Sequence, residues 1–284
     1  MRIIKTLTLA VVTLAFTASL AAAAPILTGG YNYISFDGFE NVYGRTAETI
    51  TDPLVDGDVI YGVLQAGNIK TETGSVVTQP MGSELTGFFA ASAQYVDGLL
   101  TLNSLQATND TYNYYTVTDG AVTWNDAGLG SIMGSIFSAD ELAGYSVMKL
   151  FSDLTGDVNS PDLATSIATH TNGEEWATMA LTPGDSYWYT QLAPEGFGTN
   201  LYGFQSYGPA PWGNALINDP TESLFDYDVA LFGEADISAN ANPLIPWLLD
   251  IADPAVIATP EPSTFLILGL GLLGLLGFRR KFQN

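Results

Sequence analysis

Along most of this chain, short apolar runs rich in β-branched and aromatic residues are separated by polar turn formers and punctuated by glycine, a pattern that predicts strands joined by turns. Asp58 to Gln65 and Glu84 to Val96 are rich in β-branched and aromatic residues and are bounded by turn formers. The clearest local signal is a hairpin. Thr111 to Thr118 and Ala121 to Trp124 flank Asp119-Gly120, a dipeptide suited to the positive φ angles of a type I′ turn. Ser186 to Leu192 and Tyr227 to Phe232 read as two further strands.

Helix signals are fewer and shorter. Ser138-Ala-Asp-Glu141 has the spacing of a capping box and opens a predicted helix toward Lys149. Ser160-Pro161-Asp162 opens another, with proline at the first helical position, running to about Thr169. The sum is a mainly β domain, single and β-sandwich-like, with a few short helices. No fixed-period repeat is evident, and no linker divides residues 24–240. Residues 241–259, rich in proline and alanine, read as a stalk that can still pack locally.

Both ends of the chain break this pattern. Arg2 and Lys5, the apolar run Leu7 to Leu20 and the small residues Ala21-Ala22-Ala23 describe a secretory signal peptide over residues 1–23, followed by a mature chain from about Ala24. At the other end, Pro260-Glu261-Pro262 precedes an uncharged run from Phe265 to Phe278 and the basic residues Arg279, Arg280 and Lys281. As a helix the fourteen residues 265–278 reach about 21 Å, short of the roughly 30 Å hydrocarbon core, and four glycines weaken them further. The basic residues belong on the cytoplasmic side, which places Pro260-Glu261-Pro262 outside. Transient insertion followed by cutting suits so short a span; a simple tail anchor is the alternative.

In order and spacing, residues 260–284 resemble the PEP-CTERM sorting signal of Gram-negative bacteria. The resemblance implies an exosortase, a membrane-embedded processing enzyme, as a partner that reads the Pro-Glu-Pro motif, and an association with exopolysaccharide production. It implies export across the inner membrane, transient anchoring, and a final place at the cell surface or in the extracellular matrix. It covers only the C-terminal signal.

Composition narrows what the intervening domain does. Residues 24–258 hold 29 acidic residues against three bases, Arg45, Lys70 and Lys149, a formal charge of −26. Such a domain repels nucleic acid and offers no basic patch that would release its counterions, so nucleic-acid binding is excluded. The charge favours solubility, divalent cations and neutral or cationic partners. The absence of cysteine excludes thiol catalysis and Cys-ligated metals, and leaves an exported domain to rest on its core.

Candidate chemistry is sparse. His170 is the only histidine, with Glu174 and Glu175 nearby, and a polar residue at a helix end needs no catalytic role. Ser146-Val-Met-Lys149 matches Ser-x-x-Lys without the motifs that accompany it in known serine enzymes. Asp153, Asp157, Asn159 and Asp162 set four oxygen-bearing side chains before a predicted helix, and calcium takes a ring of such oxygens. The EF-hand match is incomplete, since Pro161 occupies a ligand position and the glycine is missing, and turn and capping roles compete. Asp56-Gly57-Asp58 is a second candidate, more simply a turn.

Trp188, Tyr202, Tyr207 and Trp212 supply either a platform for sugar rings or core packing under long loops. The function expected is that of a non-enzymatic surface or matrix protein associated with exopolysaccharide, biofilm or flocculation. The alternative is a secreted polysaccharide hydrolase with paired carboxylates near the aromatic segment.

Overall fold

The computed structural model describes residues 30–50, 52–71, 73–78, 83–97, 99–106, 114–159, 162–182, 187–192, 197–207, 229–236 and 247–259. Their order is β1 (Gly30–Val42), β2 (Val59–Thr71), β3 (Glu84–Val96), β4 (Leu99–Asn103), β5 (Tyr115–Thr118), β6 (Ala121–Trp124), α1 (Ala127–Met133), α2 (Ala139–Ala143), β7 (Ser146–Asp153), α3 (Leu163–His170), β8 (Glu174–Ala180), β9 (Tyr187–Leu192), β10 (Phe197–Tyr207), β11 (Val229–Asp236) and β12 (Leu249–Thr259). The mainly β expectation holds, with few and short helices.

The ten strands other than the β5–β6 hairpin form one antiparallel sheet that returns on itself. Going round, β1 pairs with β2 and β2 with β3. The next two places are each divided between two strands. β7 pairs with the first half of β3 and β4 with the second half. β8 then joins β7 to the end of β10, while β9 joins β4 to its beginning. β10 pairs with β11, β11 with β12, and β12 with β1, which completes the circuit. The outcome of the sandwich-like pattern is thus a closed barrel of eight places. Alternating strands serve either architecture, and only the pairing separates them.

A barrel of this size has an interior that side chains fill. Ile34, Phe36, Ile60, Leu64, Phe89, Leu150, Trp176, Met179 and Trp188 are buried together inside it. On β2 and β3 the alternate residues Val59, Tyr61, Val63, Phe88 and Ala90 point to the other face and are buried as well, because a second layer covers that wall. Leu129 and Met133 of α1, Leu142 of α2, Tyr115 of β5 and Trp247 pack against them. Gly62 lies between strands at a point where a Cβ would collide with the Phe39 carbonyl and the Phe89 ring.

Local signals in this layer behave as the sequence predicts, within limits set by packing. Asp119 and Gly120 both have positive φ, 51° and 77°, as a type I′ turn requires. The Ser138–Glu141 capping box forms in both directions, but its helix spans only five residues and ends at Gly144, so the helix expected toward Lys149 is corrected. Ser146 to Asp153 are instead β7, held between β3 and β8, and this tertiary pairing overrides local helix propensity. Asp162, expected beyond a proline at the first helical position, is itself the N-cap of α3.

The segment expected as a stalk departs most from expectation. Trp247 is wholly buried, its Nε1 donates to Ser166 Oγ at 2.8 Å, and its ring lies 5.7 Å from that of Tyr61. β12 follows at once, paired with β1 from Leu249 to Thr259 and with β11 over Ala255 to Ile257.

A buried ionic cluster ties the layer to the barrel wall. Lys149 Nζ lies 2.7 Å from Glu141 Oε1 and 3.0 Å from Glu175 Oε2, and Thr178 Oγ1 donates to Glu141 Oε1 at 3.1 Å. Desolvation is the largest single influence on the Glu141 carboxyl and raises its pKa, but the Lys149 ammonium and the Ser138 cap together hold it below its usual range. Replacing Lys149 by methionine strands both carboxylates, and the expected loss is about 3–5 kcal/mol of unfolding free energy in a urea titration. Trp247→Ala is expected to cost about 3–5 kcal/mol in the same measurement; a loss close to zero would mean that residue 247 is outside the core.

Candidate metal centre and sorting segment

β3 opens with Glu84 and β7 closes with Asp153, and the antiparallel register sets these two carboxylates directly opposite one another. Like charges in that position destabilise a sheet. Past Asp153 the chain turns back, with the Thr155 N–H donating to Asp153 Oδ1 at 3.0 Å and Gly156 at φ 60°. This brings Asp157 to the pair. Glu84, Asp153 and Asp157 each offer one oxygen, all within 4.8 Å of one another. Asn172 Nδ2 donates to both oxygens of Asp157, at 3.2 and 3.0 Å, and fixes its orientation.

Glu84 carries the strain of this arrangement. Its Oε2 is buried without a hydrogen-bond partner. Burial first, and then the charges of Asp153 and Asp157, raise its pKa above the ordinary 4.5, while the backbone N–H groups of Val158 and Asp157 pull it the other way. Chemically, the trio is a set of hard oxygen donors. It suits a divalent cation such as calcium, which takes six to eight oxygens and so would complete its shell from backbone and water.

The loop expected to hold calcium is therefore reassigned in part. Asp153 and Asp157 belong to the cluster. Asp162 does not: its carboxylate accepts from the Thr165 N–H and Oγ1, both at 2.8 Å, and those bonds lower its pKa as they cap α3. Asn159 is tied by its backbone to Thr169 Oγ1, through bonds of 3.2 and 3.0 Å, beside α3. Glu84 was missed because it lies on another strand, and only the β3–β7 register reveals it. Asp56 and Asp58 serve a turn: Asp56 Oδ1 accepts from the Tyr95 N–H at 2.7 Å, and Asp58 Oδ2 pairs with Arg45 at 2.5 Å.

The other candidate residues separate similarly. Trp188 is buried inside the barrel, 5.9 Å from the Phe89 ring, so it is removed from any sugar-stacking surface. Tyr202 and Tyr207 fall on β10 rather than in a loop, and Trp212 lies outside the described residues. His170 is buried at the end of α3, its Nδ1–H donating to Ser166 O at 2.7 Å, and burial lowers its pKa. Of the two carboxylates near it in sequence, Glu175 is engaged with Lys149. Ser146 Oγ donates to Glu141 O at 2.6 Å, while Lys149 Nζ goes to the carboxylates, which leaves the Ser-x-x-Lys match a structural role.

β12 delivers the chain to its C-terminal segment. Thr259 is its last residue, paired with Gly30; Pro260, Glu261, Pro262, the apolar run 265–278, Arg279, Arg280 and Lys281 lie outside the described residues. Among the described residues no helix is long and apolar enough to cross a membrane. Residues 258–281 match the family model of the PEP-CTERM protein-sorting motif. No curated protein and no solved structure matches the chain. The chain is thus a PEP-CTERM protein by its C-terminal signal, and that signal marks an exported protein with an exosortase as its processing partner.

Glu84 gives the centre a pH signature. A carboxyl whose folded pKa is raised destabilises the fold at neutral pH, and that penalty disappears as pH falls through the folded value toward 4.5. Glu84→Gln is expected to raise the melting temperature by on the order of 2 °C at pH 7, with the gain vanishing in acid. Millimolar calcium is expected to raise the melting temperature of the unaltered protein and to leave Glu84→Gln unmoved. Equal calcium responses in both proteins would exclude Glu84 as a ligand.

Proposed function

We propose that this is a non-enzymatic protein of the cell surface or extracellular matrix, delivered by exosortase processing of its tail and working in association with exopolysaccharide, in flocculation or biofilm. The observation that carries this reading is the sorting motif at residues 258–281. The tail anchors the precursor in the inner membrane until it is cut, and the barrel is then released outward.

The domain supports such a role by its physics. Twenty-nine acidic residues against three bases keep it soluble and hydrated in a polysaccharide network. A closed barrel has no open sheet edge along its circuit, which protects an extracellular β-protein against edge-to-edge aggregation. The carboxylate trio adds a site through which calcium would link the surface to anionic sugars. The hydrolase reading draws no support from Trp188, which packs in the barrel core instead of lining a groove.

Replacing Pro260, Glu261 and Pro262 together by alanine is expected to leave the tail uncut and the protein in the membrane fraction, while the unaltered protein appears outside the cell in a shortened form. Mass spectrometry of both fractions reads this out. Deleting the gene is expected to change flocculation or matrix retention. Unchanged flocculation with unchanged matrix composition would overturn the matrix role.

A further inference from the structure

The tail leaves the barrel from a fixed place on one rim. Gly30 pairs with Thr259 there, so the first and last described residues lie side by side. The antiparallel pairings bring to the same rim the end of β2, the start of β3 and the end of β7. Five residues, Pro260 to Thr264, separate Thr259 from the apolar run. Fully extended, that connection spans at most about 20 Å, of which the headgroup layer takes about 6 Å.

The far rim is out of reach of the membrane when this rim is tethered. β1 and β2 are thirteen residues long, and strands of that length at a barrel tilt give a height of roughly 33 Å. Both rims expose apolar side chains, Val55, Tyr95 and Val96 at the far rim and Val76 and Leu154 at the near one, so the tether and not an apolar patch decides which rim meets the membrane. Val76, in the turn after β2, and Leu154, just past β7, are 60% and 47% exposed. Of the three bases between the apolar ends, Arg45 pairs with Asp58 and Lys149 with Glu141 and Glu175, whereas Lys70 at this rim is exposed. Glu84, Asp153 and Asp157 sit at the same rim and oppose contact with anionic headgroups, so the short tether rather than charge attraction sets the orientation.

We propose that in the tail-anchored precursor the barrel stands on the outer leaflet of the membrane on the rim that carries Gly30, Thr259, Lys70, Val76 and Leu154, with a phospholipid surface as the partner of that rim. This rests on the tail anchoring proposed above. The folded barrel abuts the bilayer, with no stalk between them, and the processing enzyme meets its motif at the barrel rim.

The chain has no cysteine, so single labels are clean. Thr73→Cys marks the near rim and Val55→Cys the far rim; both positions are exposed. The full-length precursor is placed in vesicles of phosphatidylethanolamine and phosphatidylglycerol containing nitroxide-headgroup lipid, and fluorescence of the attached probe is recorded. The near-rim probe is expected to lose most of its emission and the far-rim probe almost none. Equal losses, or a greater loss at residue 55, in protein that floats with the vesicles would overturn the orientation alone. Protein that fails to float with vesicles would overturn the anchoring and the orientation with it.

Discussion

Backbone pairing of β12 along both edges is the constraint on which the rest of the structure depends. β12 lies between β1 and β11, and without it the sheet would end in two open edges. Closure encloses Trp176, Trp188 and their neighbours, whose burial is the main favourable term available to a cysteine-free domain. The same strand begins just after Trp247, which fills the second core on the outer wall. One short segment therefore closes the barrel, pins the covering layer and carries the chain to its sorting signal. The fold and its address share a boundary at Thr259.

Charge is managed in two different ways. Under the covering layer, Lys149 faces Glu141 and Glu175, so the buried carboxylates have a counter-ion and hydrogen bonds. At the rim, Glu84, Asp153 and Asp157 face one another, and three carboxylates converge. Two titrating groups, His170 and Glu84, respond to acid in opposite directions. His170, buried and depressed below its usual 6.5, loses stability for the fold as pH falls below that value, because the unfolded chain takes up the proton first. Glu84 restores some as pH falls through its raised folded value toward 4.5. A cation in the trio would reverse the second effect and make the ionised form the stabilising one.

What the sequence made legible was local. Asp119-Gly120 fixed a turn and Ser138–Glu141 a cap, because each depends on residues within a few positions. β3 was readable from composition with both its ends, and β2, β9 and β11 with ends displaced by one to six residues. β1 was passed over because Asp37, Gly38, Glu40 and Asn41 interrupt its apolar pattern, and β12 because Pro254 and its alanines resemble a linker. Both strands are stabilised by partners far away in sequence. The carboxylate trio shows the same division: Asp153 and Asp157 share a loop and were found together, whereas Glu84 joins them only through strand register.

Hydrogen exchange along β12 tests the central claim most directly. The account predicts that the amides of residues 249–259 exchange as slowly as those of β1, opening only with global unfolding of the barrel. Fast exchange through 249–259, with β1 still protected on its β2 side, would show the segment to be a stalk and would contradict closure of the barrel.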